Sequence, residues 1–126
     1  MRTQKGFTLL EVMVAVVIMG TVLVTLIGLK NGSMQDVLFA EHMTTATMLA
    51  RNKMVDTLSL MSSKKLQPPL EEEGDFTDDD SLKDFTWKRT VSKIPLPTGN
   101  SITEIRVATL WKEGTRQEQV ELVSYE

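Results

Sequence analysis

From Phe7 to Leu29 the chain runs 23 residues with a single charge, Glu11. As a helix this stretch would be roughly 34 Å long, enough to cross a hydrocarbon core of about 30 Å. A carboxylate just inside such a span is costly, about 2.5–3.5 kcal/mol at the centre of a membrane helix and less near an interface. Glu11 is therefore a candidate functional residue. Arg2 and Lys5 precede the span, while Lys30, Asp36 and Glu41 follow it. The positive-inside rule places the N-terminus in the cytoplasm and everything beyond Lys30 on the far side, the periplasm if the host is Gram-negative.

The rest of the composition bounds one small domain. The chain has 126 residues, no cysteine, one histidine and a formal charge of −3. Without cysteine no disulfide or thiolate metal site can form, so packing alone must hold the domain. No basic patch points to nucleic acid.

No proline occurs between Phe7 and Ser62, which predicts one long helix to about residue 62, roughly 80 Å if unbroken, with a bend or fray at Gly32-Ser33. Its second half is amphipathic. Val37, Met48 and Val55 share one apolar face with Met34, Leu38 and Leu49, and Met43, Ala50, Met54 and Met61 lie nearly opposite. The first face is expected to pack on the chain's own sheet. The second is then left for a partner helix, with Met43, Ala50 and Met54 as its candidate residues. Methionine there reads as core filling rather than a cofactor site.

Pro68-Pro69 is expected to stop the helix. The acidic run Glu71–Asp80 then reads as a solvated loop, 67–84, lacking the glycine and distal glutamate of an EF-hand calcium loop. Three strands are predicted in 85–125. Phe85, Trp87 and Val91 share one face of the first, Ile105, Val107, Thr109 and Trp111 one face of the second, and Gln119–Tyr125 returns as the third. Trp87 and Trp111 are expected at the contact with the helix. The predicted fold is α+β: a long transmembrane-plus-amphipathic helix packed on a small antiparallel sheet. His42 reads as a solvated helix residue, no catalytic constellation appears, and neither an enzyme activity nor a cofactor or metal is expected.

The N-terminus resembles the class III signal of type IV pilins and type II secretion pseudopilins. In that family a short basic leader ends in glycine, a prepilin peptidase cuts after it, and the new N-terminal phenylalanine is methylated. The match runs from the leader Met1–Gly6, through the cut at Gly6-Phe7, to the carboxylate at Glu11. A secretory signal would place its cleavage site after the apolar region instead. Loss of the leader would leave 12 basic against 17 acidic side chains, a formal −5. Ala46-Thr47-Met48-Leu49-Ala50-Arg51-Asn52 resembles an Ala-x-x-x-Ala-x-Asn segment of the I-type minor pseudopilins. The starts of the Phe85 and Ile105 strands and the Trp111–Gly114 turn are also similar, whereas Arg51 and the acidic insertion depart from the pattern.

The resemblance implies a pilin-like fold and an inner-membrane subunit with its C-terminal domain in the periplasm. It also implies a place in a periplasmic pseudopilus. Its implied partners are the J- and K-type minor pseudopilins, the major pseudopilin, the prepilin peptidase and the inner-membrane assembly platform. Glu11 would meet the Phe7 amine of a neighbouring subunit, and Gly20 with Thr21 and Thr25 would let the helix loosen during extraction. The competing readings are a minor pilin of a type IV pilus and a single-span anchor carrying a periplasmic binding domain.

Overall fold

A computed structural model describes residues 6–126; Arg2 and Lys5 of the expected leader lie outside the described residues. The first element is α1, Leu9–Ser62, 54 residues without interruption. It starts two residues inside Phe7 and does not fray at Gly32-Ser33, which both lie within the helix. Its end is a Schellman motif. Lys65 N–H reaches Leu60 C=O at 3.0 Å and Lys64 N–H reaches Met61 C=O at 2.9 Å, with Lys64 left-handed at φ 57°. The helix is thus closed by its own last turn, and Pro68-Pro69 stands beyond a stop already made.

The chain divides into two units, Met1–Leu38 and Phe39–Glu126. In the first, every described residue from Gly6 to Leu38 is exposed. Its apolar window has a mean hydropathy of 2.7, and it is long and apolar enough to cross a membrane.

The second unit pairs the C-terminal part of α1 with a sheet of four antiparallel strands in sequence order: β1 Leu70–Asp75, β2 Phe85–Pro95, β3 Ser101–Glu113 and β4 Arg116–Tyr125. Two of the turns depend on glycine. Gly114, at φ 63° and followed by Thr115, closes a two-residue hairpin between β3 and β4, and Gly99, at φ 86°, sits in the turn between β2 and β3. The β1–β2 connection holds a short 3₁₀ turn, Asp80–Leu82, capped by Asp79, whose carboxylate accepts the Ser81 N–H at 2.9 Å.

Two expectations are corrected here. The sheet has four strands, not three, because part of the predicted acidic loop 67–84 is β1. Glutamate, glycine and aspartate are poor strand formers. Here the neighbouring strand supplies cations that offset the acidic run: Lys88 pairs with Glu71 at 2.6 Å, and buried Arg89 pairs with Glu72. Gly74 lies opposite Trp87, where a Cβ would come within 3.0 Å of the indole. The strand therefore tolerates glycine at a point where a side chain would collide.

The second correction concerns the two helix faces. Ala46, Ala50, Met54 and Thr57 are the buried residues of α1, and Val37, Met48 and Val55 remain 60–64% exposed. Ala50 and Met54 pack with Val91, Ile105 and Val107, and Ala46 packs with Phe85 and Trp111. Hydropathy ranks the valine face above the alanine face, but contact distance decides the outcome. Alanine lets the helix backbone come close to a sheet whose β-branched and aromatic side chains already fill the gap. Met43 is exposed. Each fully buried Ile or Val at this contact contributes about 1.5–3 kcal/mol relative to exposure.

The predicted inward faces of β2 and β3 are those observed. Phe85, Val91, Ile105, Val107, Thr109 and Trp111 are buried. Trp87 is half-buried, with Lys53 Nζ 3.7 Å from its ring centroid, a cation–π contact.

Candidate functional site

The start of α1 brings the sequence-marked residues together within one turn. Thr8 is the N-cap. Its Oγ1 accepts the Glu11 N–H at 3.3 Å, and its C=O accepts the N–H groups of Glu11 and Val12 at 3.1 and 3.2 Å. Thr8-x-x-Glu11 is the sequence pattern of a capping box, so Thr8 was a legible part of this site that the sequence reading did not single out. Glu11 lies in the first helical turn, where the positive end of the helix dipole favours a carboxylate. Phe7 is 84% exposed. Phe7, Glu11, Ala15 and Met19 follow one another at four-residue spacing and, with Val12 and Val16, line a groove along the helix surface that is almost wholly apolar. Among the described residues nothing fills this groove.

Further along the apolar segment, Thr21 donates its hydroxyl to Ile18 C=O and Thr25 to Thr21 C=O, both at 2.8 Å. Neither hydroxyl is left to demand a partner in an apolar environment. An added Cβ at Gly20 would meet nothing within 4 Å.

In the second unit His42 is not the solvated residue expected from its neighbours. Its Nδ1 lies 2.8 Å from Glu113 Oε2, its ring meets Phe85 edge-on at 6.0 Å, and the same Glu113 oxygen accepts the Trp111 indole N–H at 3.2 Å. The partner is 71 residues away in sequence, so no local pattern could announce it. The hydrogen bond from His42, and less strongly that from Trp111, holds the Glu113 carboxyl below its usual 4.5 against the opposing effect of desolvation. A depressed carboxyl stabilises the fold above its unfolded value and loses that contribution as pH falls through the folded one. The acid limb of a stability–pH curve, below about pH 4.5, is therefore expected to be shallower in Glu113→Gln than in the unaltered chain. Coincident acid limbs would remove the pair from the account of stability.

Among the described residues no three histidine, aspartate or glutamate side chains converge as a metal site. The acidic run is spread over both faces of β1 and its following turn.

The first 27 residues match a family described as the prokaryotic N-terminal methylation motif. The match supports a type IV pilin-like protein, a structural and non-enzymatic kind of molecule. With the apolar helix it fits a membrane-anchored chain. No curated protein and no solved structure matches the chain.

Proposed function

We propose that the chain is a minor pseudopilin of the I type. Processed by a prepilin peptidase and methylated at Phe7, it co-assembles with J- and K-type minor pseudopilins and the major pseudopilin in the periplasm. There it primes the pseudopilus at its tip and supports protein export. The observation that carries this reading is the fully exposed apolar segment that begins at the Gly6-Phe7 junction and carries its only carboxylate in the first helical turn. Lipid satisfies such a surface before assembly, and neighbouring helices satisfy it afterwards. The choice of the I type rests on the Ala46–Asn52 resemblance. Its two alanines, both 0% exposed, are the residues that let the helix lie close on the sheet.

Glu11 is assigned to assembly, where its carboxylate meets a neighbour's Phe7 amine. Glu11→Leu makes the span more apolar and leaves insertion intact. Glu11→Gln keeps the shape and loses the charge. Both variants are expected to insert normally and to lose most cross-linking to the other pilin-like subunits and most secretion. Normal values for both would overturn the role.

With Ala50 and Met54 used in the core, the partner surface is assigned to the outward side chains of Met48 and Val55. Met48→Glu and Val55→Glu are expected to keep the fold, because neither side chain is buried, and to abolish copurification with J- and K-type subunits. Copurification at the level of the unaltered chain would discard this face. Copurification with pilus subunits instead would favour the minor-pilin reading.

A further inference from the structure

β1 is the strand that its own residues support least. Of Leu70–Asp75 only Leu70 is apolar, and Glu71, Glu72, Glu73, Gly74 and Asp75 all disfavour a strand. None of the six is buried, whereas β2 and β3 carry the buried residues of the sheet. Apolar contact with the core is confined to Leu70 at one end and Phe76 just beyond the other, both half-buried. Segments with so few buried apolar contacts open at a lower cost than the domain around them.

What holds the middle of β1 is charge. Glu71 pairs with Lys88 at 2.6 Å on the outward face, where both side chains are exposed. Glu72 pairs on the inward face with Nη2 of Arg89, which is 6% exposed. The rest of Arg89 is held from the other side. Its Nη1 donates to Thr57 Oγ1 of α1 at 3.3 Å, and its guanidinium stands 5.4 Å from the Trp87 ring centroid. Its Nε has no partner among the described residues. The closed arrangement thus leaves one donor of a buried cation unsatisfied, and water would satisfy it once β1 moved away. Further along β1, Gly74 rests on the edge of the Trp87 indole, where an added Cβ would lie 3.2 Å from Nε1. Thr57, Arg89 and Trp87 touch one another without β1. Residues 63–69 join β1 to α1 and residues 76–84 join it to β2, which gives it length to move at both ends.

We propose that β1 is a strap, latched by the Arg89–Glu72 pair, that opens as a unit while α1, β2, β3 and β4 stay packed. Closed, it presents a short acidic rim that resists pairing with another chain. Open, it uncovers the Trp87 indole, the Arg89 guanidinium and the 11-residue edge of β2. The strap guards a longer edge than the one it forms, and control of the latch controls access to that edge. The device belongs to the sheet and needs no filament.

The test uses the full chain, isotope-labelled in detergent micelles, with a soluble paramagnetic reagent as the probe of the two indole N–H signals. In the unaltered chain the β1 amides bonded to β2 are expected to exchange about 10- to 100-fold faster than the slowest β3 amides. Their exchange should also depend less on urea, since opening β1 exposes less surface than unfolding the domain. Glu72→Gln breaks the latch and leaves Arg89 without its counter-charge. Exchange in β1 should then rise by about tenfold or more. The reagent should broaden the Trp87 indole signal, while that of Trp111, 2% exposed, stays sharp. Glu73→Gln removes a carboxylate of the same strand that forms no ion pair among the described residues, and it should change neither readout. The proposal is overturned if β1 and β3 amides share one rate and one urea dependence, which would make the sheet a single unit. It is overturned equally if Glu72→Gln leaves Trp87 shielded, if it broadens Trp111 as well, or if Glu73→Gln has the same effect.

Discussion

Ala50→Glu is expected to unfold the second unit. Ala50 is 0% exposed and packs with Val91, Ile105 and Val107 beneath α1, and Arg89, the buried cation on the inward face of β2, is already paired with Glu72. Burying an unpaired charge costs several kcal/mol even after relaxation. A domain of this size has about 5–15 kcal/mol in total, so at least about 3 kcal/mol should be lost. Trp111, 2% exposed between Phe39 and Phe85, is the natural reporter, and its near-ultraviolet circular dichroism should collapse. Val55→Glu, five positions further along the same helix and 60% exposed, should leave that signal unchanged. Ala50→Leu separates charge from volume, since overpacking alone costs about 1–3 kcal/mol. If Ala50→Glu stays folded and Val55→Glu does not, the assignment of the two helix faces is inverted.

This contrast marks where sequence reading stops. The period of α1 shows two apolar faces, and the absence of proline carries the helix to Ser62. Which face meets the sheet is a question of fit. Val37, Met48 and Val55 are the more apolar set, yet Ala46 and Ala50 are buried because a close approach needs short side chains. The strand faces of β2 and β3 were legible because alternation is a local property, with Arg89 as the exception. That residue falls on the inward face, 6% exposed, and is sustained by Glu72 and by Thr57 Oγ1, 3.3 Å from its Nη1. Once Arg89 is inside, the acidic run has a reason to become a strand, since the buried cation draws Glu72 to β2 and Glu71 follows onto Lys88. Neither Arg89 nor Glu72 predicts this alone. The same holds for His42 and Glu113. At the N-terminus the reverse is true: Thr8, Glu11 and the apolar run are all local, and the geometry there adds only the cap.

The other all-or-none outcome concerns Gly6. In a host with an active prepilin peptidase, Gly6→Val is expected to leave Met1–Gly6 attached, whereas the unaltered chain should begin at a methylated Phe7. The structure separates two reasons for a glycine at this position. An added Cβ at Gly6 would meet nothing within 4 Å, and Gly6 is exposed, so the fold has no steric use for glycine here. Gly99 and Gly114, by contrast, adopt positive φ values that their turns require. Any intolerance at Gly6 must then come from a site outside the chain that closes around the scissile junction, where a branched side chain would collide with the enzyme. Gly6→Val should therefore insert in the membrane, keep the Trp111 near-ultraviolet signal and retain the His42–Glu113 acid limb, while its intact mass still includes the leader. Gly6→Ala, with the smallest side chain, should be cut more slowly than the unaltered chain but faster than Gly6→Val. Should Gly6→Val be processed as fast as the unaltered chain, the cleavage assignment fails. If it is instead unprocessed and unfolded, the glycine serves the fold, contrary to the open space around it.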